Sequence, residues 1–311
     1  MRIISFATAD SDWSSPRMGI ILHTDGVDNG ERLDCEELFA AADRPANPLS
    51  WFDMDSRWFQ TARDTALRLE RDPRALVEAR SKGWLVRSGD AYWFSPVPRP
   101  GKIVCIGLNY RDHAAELGMA LPDKPTIFSK FPSCVIAPGE PVVRPAGCEK
   151  LDFEAELAVV IGRRAARVSR ERAYDYVLGY TAFNDVTARD FQFSDAQWQR
   201  GKSCDTFAPM GQTIVTTDEL PDPHTLRVTL RVNGAVMQDS STSQMIFGVP
   251  ELIEFITRSI TLEPGDVVAT GTPAGVGYGR TPPVFVQPGD VMEVGIERIG
   301  GLGNPVVSAE G

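Results

Sequence analysis

The chain has 311 residues, enough for one large domain or two modest ones, and its 42% hydrophobic and 24% charged content is that of an ordinary globular protein. Its 32 Lys and Arg against 42 Asp and Glu give a net charge of −10 at pH 7. With no basic run, neither a nucleic acid nor an anionic membrane surface is expected as a partner.

The first ninety-odd residues read as a small α+β unit. Arg2 to Phe6 and Met18 to Leu22 have the composition of short strands. From about Asp55 to Leu69 an amphipathic helix is predicted, with Asp55 or Ser56 as N-cap and Trp58, Phe59, Ala62, Ala66 and Leu69 apolar. A second helix is predicted over Pro73 to Lys82, stopping at Gly83. Pro96, Pro98, Pro100 and Gly101 then break the chain, and a boundary between domains 1–97 and 98–311 is placed there.

Beyond the boundary, strands are predicted at Lys102 to Gly107, Pro125 to Ser129, Phe153 to Ile161 and Gly179 to Asn184. Others follow at Gln212 to Thr216, Thr225 to Val232, Asp266 to Thr270 and Val291 to Ile296. Helical candidates are few, chiefly Arg111 to Leu117, Glu171 to Tyr176 and Pro250 to Ser259. Strands outnumber helices without regular βα alternation, which excludes a Rossmann fold or a TIM barrel and points to an α+β fold built on a mixed sheet or roll. The longest apolar stretch, Ala155 to Gly162, is too short to span a bilayer. The N-terminus turns polar without the apolar run of a leader, so a cytoplasmic location is expected.

Five cysteines with no Cys-x-x-Cys pair fit reduced thiols. The three histidines, His23, His113 and His224, are too dispersed for a zinc site. A metal would need carboxylate ligands, which selects hard cations. Asp152, Glu154 and Glu156 alternate along one predicted strand and so would share one face. They are either the solvated edge of an amphipathic strand or a cation site. The apolar continuation Val159 to Ile161 places the strand inside a sheet and favours the cation. Asp185, at the end of another strand, is a further ligand or else an Asx turn opening the next helix.

Asn109 to Gly118 reads as a short helix capped by Asn109 and ended by Gly118, a candidate for a movable lid. His113 and Glu116 are neighbours at i, i+3, either as an exposed pair of little consequence or as an imidazole made more basic by a carboxylate. Gly201-Lys202-Ser203 lacks the upstream glycine of a phosphate-binding loop, and Lys202 reads as a lone charge facing an anion. Gly271 to Gly279 reads as a loop whose backbone N–H groups approach a ligand.

Six segments occur in order: Asn109-Tyr110-x-Asp112-His113-x-x-Glu116, Asp152-x-Glu154-x-Glu156-Leu157, Asn184 to Asp190, Gly201-Lys202-Ser203-x-Asp205, Arg231 to Gly234, and Thr270 to Pro273. Together they resemble the fumarylacetoacetate hydrolase (FAH) family across roughly residues 100 to 300. The resemblance implies a mixed β-sheet roll preceded by a small N-terminal α+β domain, in a homodimer. It implies Mg²⁺ or Mn²⁺ on Glu154, Glu156 and Asp185, with His113 and Glu116 as a catalytic dyad and Lys202 beside the reacting centre. Arg189, Gln192 and Thr272 match positions that grip a small 2-oxo acid substrate, and Tyr110 and Lys130 are further candidates for that pocket. The expected reaction is hydrolysis of the C–C bond of an acylpyruvate through a pyruvate enolate. Oxaloacetate decarboxylation or keto–enol isomerisation at the same site stands second, and a metal-stabilised binding protein without turnover is the alternative of another class.

Overall fold

The computed structural model describes residues 1–24 and 26–309. The N-terminal segment supplies strands β1 (Arg2–Ala7), β2 (Arg17–Thr24) and β3 (Val27–Asp34), helices α1 (Arg57–Arg71) and α2 (Pro73–Ser81), and short strands β4 (Leu85–Arg87) and β5 (Tyr92–Trp93). Next come β6 (Ile103–Gly107), α3 (Arg111–Glu116), β7 (Thr126–Lys130), β8 (Val135–Ile136), β9 (Val142–Arg144), β10 (Leu151–Asp152) and β11 (Ala155–Ile161). They are followed by β12 (Val177–Asn184), β13 (Thr187–Ala188), α4 (Arg189–Ser194), α5 (Gln199–Lys202), β14 (Ala208–Pro209) and β15 (Ile214–Thr216). The last elements are β16 (Arg227–Val232), β17 (Ala235–Ser241), α6 (Val249–Thr257), β18 (Val267–Ala269), β19 (Val291–Ile296) and β20 (Gly300–Ser308).

Eleven strands form one mixed sheet in the order β4-β3-β2-β1-β15-β12-β11-β18-β6-β7, with β5 beside β1. Its centre is β11, whose seven residues are all buried, as a near-continuous apolar run between two strands should be. The seam of the sheet lies at β1, where Arg2 pairs with Val215 and Ile3 with Ile214, so the N-terminal strands continue the sheet of the later residues. Beside that seam β12 and β15 run so close that a Cβ on Gly179 would come within 2.2 Å of the Val215 carbonyl oxygen. A second sheet, β17-β16-β19-β20-β9, places Leu230, Met292 and Val294 in the same core.

Helix α1 starts where Ser56 accepts the Phe59 N–H, and its Phe59, Ala62, Ala66 and Leu69 face the core as the 3.6-residue period requires. Asp72 caps α2 ahead of Pro73. The fold is thus the α+β mixed-sheet architecture expected. Among the described residues no helix is long and apolar enough to cross a membrane, and all five cysteines are free.

Two local expectations are corrected, while the helix expected over Glu171 to Tyr176 forms as a 3₁₀ helix over Arg170–Tyr176. Asn109 does not cap α3: its side chain instead donates to the carbonyls of Phe247 and Thr270 and accepts the Phe247 N–H. The strand expected over Phe153 to Ile161 begins at Ala155, because Leu151 and Asp152 pair with β13 while Phe153 and Glu154 stand between the two ladders. Strands β3, β17 and β20 and helices α4 and α5 lie outside the predicted elements.

Candidate active site

The site forms where β11 and β12 end side by side and α3, α4 and α5 close over them. Ala155 pairs with Asn184, so the residues just before β11 and just after β12 meet at one end of the ladder. Asn184 Oδ1 accepts the Glu154 N–H at 3.0 Å, and the Glu154 carbonyl accepts the Asp185 N–H at 2.9 Å. These bonds bring Glu154, Glu156 and Asp185 together, with one oxygen of each lying within 4.8 Å of the others. All three are buried.

Three carboxylates so close must be compensated. Lys202 Nζ donates to Glu154 at 2.8 Å and to Asp185 at 2.7 Å. Lys130 Nζ donates to Asp185 at 2.5 Å and to the Val186 carbonyl. Arg189 reaches Glu154 through Nη2 at 2.6 Å. Burial alone would raise the Glu154 carboxyl, but Lys202 and Arg189 outweigh it and hold it down at about 2. Burial would likewise lower the Lys202 ammonium, yet Asp185 and Glu154 raise it, so it stays charged.

Glu156 differs. Its carboxylate accepts the Gly271 N–H at 2.8 Å, but among the described residues no cation lies within ion-pair distance of it. Burial first, then Asp185 and Glu154, push its carboxyl well above the usual carboxylate range. Buried hard oxygen donors with one member left uncompensated are the donor set of a divalent cation such as Mg²⁺ or Mn²⁺, and these residues fit one.

A cavity of about 270 Å³ opens above this floor. Glu154, Lys202, Arg189, Gln192, Thr272 and His113 all border it, as expected for a common pocket. His113 Nδ1 lies 3.0 Å from Glu116 Oε2, so the pair predicted from the i, i+3 spacing is formed, with His113 only 8% exposed. Helix α3 is tied down by the Ser240 hydroxyl on Asp112 at 2.5 Å, by Arg111 on the Met245 carbonyl, and by a bridge between Tyr110 and Met245.

Glu116, Glu156 and Asp185 stand behind the cavity wall, and two of the substrate-pocket candidates do not reach it either. Tyr110 is fully buried, its hydroxyl has no partner among the described residues, and burial pushes the phenol well above its ordinary value. Lys130 lies beneath the floor against Asp185. Asp152 departs from the shared face expected of it. The break before β11 turns it toward Arg189, and the triad is completed by Asp185 instead.

The glycine-rich loop is also used differently from expectation. Its N–H groups serve the protein's own carboxylates: Gly271 donates to Glu156, Gly275 to Glu116, and Gly277 and Tyr278 to Asp152. Gln238, fully buried, fixes Thr272 by donating to its hydroxyl at 2.8 Å. Neither this glutamine nor the apolar walls made by Phe128, Phe193 and Trp198 carries a local signal in the sequence. Each depends on residues far away in the chain.

The "Fumarylacetoacetate (FAA) hydrolase C-terminal" domain family matches residues 102–307. The mitochondrial oxaloacetate tautomerase fahd2 of Xenopus laevis is 39% identical over 99% of this chain and 90% of its own length. The oxaloacetate tautomerase YisK of Bacillus subtilis (strain 168) is 42% identical over 79% of this chain and 91% of its own. The crystallised fumarylacetoacetate hydrolase of Exiguobacterium antarcticum superposes with a TM-score of 0.76 at 35% identity, covering 99% of this chain and 100% of that one. The chain therefore belongs to the fumarylacetoacetate hydrolase family and is an enzyme, with a buried carboxylate triad suited to a divalent metal.

Proposed function

We propose that the protein interconverts the keto and enol forms of a small 2-oxo diacid of the oxaloacetate class, in a catalytic unit spanning residues 98–311. The observation that carries this reading is that His113, oriented by Glu116, and Lys202 with its partner Glu154 border one cavity. Two relatives named as oxaloacetate tautomerases favour proton transfer over the C–C hydrolysis expected first from the sequence. Glu154, Glu156 and Asp185 would hold Mg²⁺ or Mn²⁺, which when bound polarises the 2-oxo group and eases loss of a C3 proton. The homodimer rests on the family resemblance alone.

The residues of the chain do the rest. Glu116 accepts a hydrogen bond from His113 Nδ1–H, which fixes the tautomer and leaves Nε2 as the proton acceptor. Nε2 takes the C3 proton, the C3–H electron pair becomes the C2=C3 bond, and the proton returns to the 2-oxygen. The reverse sequence gives the ketone, and no water is consumed. The Lys202 ammonium offsets negative charge that develops above Glu154. Arg189 has N–H donors to spare beyond those committed to Asp152, Glu154 and Gln192, and with Gln192 and Thr272 it orients the substrate carboxylate.

A second reading is hydrolysis of a 2,4-dioxo acid, with His113 taking a proton from water. It is favoured by the apolar walls of the cavity, Phe128, Phe193 and Trp198, which suit an uncharged acyl group. The deciding experiment follows the ultraviolet absorbance of enol oxaloacetate as it ketonises in the presence of the Mg²⁺-loaded protein. Acceleration over buffer supports the first reading. A rate no faster than buffer, with cleavage of acylpyruvates under the same conditions, replaces it by the second.

A further inference from the structure

The alternation along the strand groups Asp152 with the metal-ligand candidates, but the structure gives it other partners. It is fully buried. Oδ1 accepts the N–H of Gly277 at 2.7 Å and of Phe153 at 2.8 Å. Oδ2 accepts the N–H of Tyr278 at 2.9 Å and Nε–H of Arg189 at 2.8 Å. One carboxylate thus binds the base of β10, the glycine-rich loop and the guanidinium on the cavity wall.

The loop has no slack at that point. A Cβ on Gly277 would come within 1.9 Å of the Val284 carbonyl and 2.6 Å of Asp152 Oδ1. The Tyr278 ring faces the Arg189 guanidinium at 5.8 Å. Two residues before Gly277, the Gly275 N–H reaches Glu116. Arg189 is also fixed from its other side by Glu154 and Gln192. With Nε held by Asp152, the plane of the guanidinium cannot turn, and its remaining donors keep one direction toward the cavity.

We propose that Asp152 is a positioning residue, locking Arg189 and the Val276–Gly279 loop into one unit so that binding of the substrate carboxylate depends on it. The proposal rests on the reading of the cavity as a 2-oxo acid site. It concerns affinity, because Asp152 does not border the cavity and the proton carrier is held by Glu116.

The test uses the full-length, Mg²⁺-loaded protein and Asp152→Asn, a change of nearly equal shape. An amide keeps one acceptor oxygen and sets its own N–H either against Arg189 Nε–H and Tyr278 N–H or against the N–H groups of Gly277 and Phe153, so one arm of the lock is lost in each orientation. KM for oxaloacetate and the calorimetric Kd for oxalate, an unreactive mimic of a 2-oxo acid head, are expected to rise together by roughly 10–100-fold. The kcat is expected to stay within about threefold. In an Arg189→Met background, Asp152→Asn should change oxalate affinity by less than about twofold, because the residue through which it acts is gone.

An unchanged oxalate Kd, a fall in kcat at constant KM, or an effect that adds in full to Arg189→Met overturns the proposal. If Asp152→Asn does not fold, Arg189→Lys carries the test, since it keeps the charge and removes the Nε–H. Wild-type oxalate affinity in that variant overturns the proposal too. The oxalate titration is decisive even where oxaloacetate does not turn over, so this proposal and the proposed reaction fail separately.

Discussion

His113 and Glu116 are joined at 3.0 Å through Nδ1 and Oε2, while Oε1 of the same glutamate accepts the Gly275 N–H at 2.8 Å. Both oxygens of the carboxylate are therefore engaged, and the imidazole is oriented by a group that cannot rotate. Replacing His113 with Ala removes the proton carrier and is expected to lower kcat by about 10²–10⁴-fold. Mg²⁺ affinity should not change, since none of the triad's hydrogen bonds involves His113. Steady-state rates beside calorimetry check both halves. Turnover at the wild-type rate would remove the pair from the mechanism.

Glu156 gives a prediction with an unusual sign. It is the triad member with no ion-pair partner among the described residues, and it faces two other carboxylates. Glu156→Gln should weaken Mg²⁺ binding, yet raise the melting temperature of the metal-free protein, because the amide can still accept the Gly271 N–H and no longer repels Asp185. A gain of about 1 kcal/mol would show as roughly 2–4 °C. Thermal melts in chelator, with titration of Mg²⁺, measure both effects. A lower melting temperature with unaltered Mg²⁺ affinity would remove Glu156 from the ligand set.

The same carboxyl sets a pH dependence. Burial, with Asp185 and Glu154 beside it, raises it above the ordinary range in the folded protein. A carboxyl raised on folding contributes stability that is present below its unfolded pKa and lost as pH climbs through the native value. The metal-free protein should therefore melt at lower temperature as pH goes from about 5 to about 8. Added Mg²⁺ should stabilise most at the upper end, where the ligand is ionised and no proton competes. Glu154, held down at about 2, acts in the opposite sense but only in strong acid. Metal-free melts that are flat over this range would contradict the account of Glu156.

What the sequence discloses is what its local spacing encodes. The i, i+3 pair in α3 and the alternation of Glu154 and Glu156 are short-range patterns, and both survive in the structure. The apolar run of β11 likewise marks a central strand. Asp152 shares that alternation, but its backbone pairs with Thr187 instead, and its side-chain partners Gly277 and Tyr278 come more than a hundred residues later. Lys202 reads as a lone charge because Glu154 and Asp185 meet it only in three dimensions. Strand β17 is a polar edge and β20 is rich in glycine, so each is held mainly by backbone pairing that leaves little trace in side-chain periodicity.

The Pro/Gly cluster at Pro96–Gly101 suggests a boundary, whereas the large sheet runs on through β1. Arg2 and Ile3 pair with Val215 and Ile214, Thr216 donates from its N–H and hydroxyl to the Met1 carbonyl, and Arg2 Nε meets Glu219 at 2.9 Å. Met54 N–H adds a bond to the Gly162 carbonyl, at the end of β11. A chain of residues 98–311 alone would leave β15 as an unpaired edge beside apolar surface that α1 and β2 now share with the core. It is expected to aggregate or to melt well below the full chain, although every triad, dyad and cavity residue is retained. Light scattering and a thermal melt of the purified fragment decide this. A soluble fragment with the full chain's melting temperature and Mg²⁺ affinity would show that the N-terminal strands only lean on a catalytic unit that is stable without them.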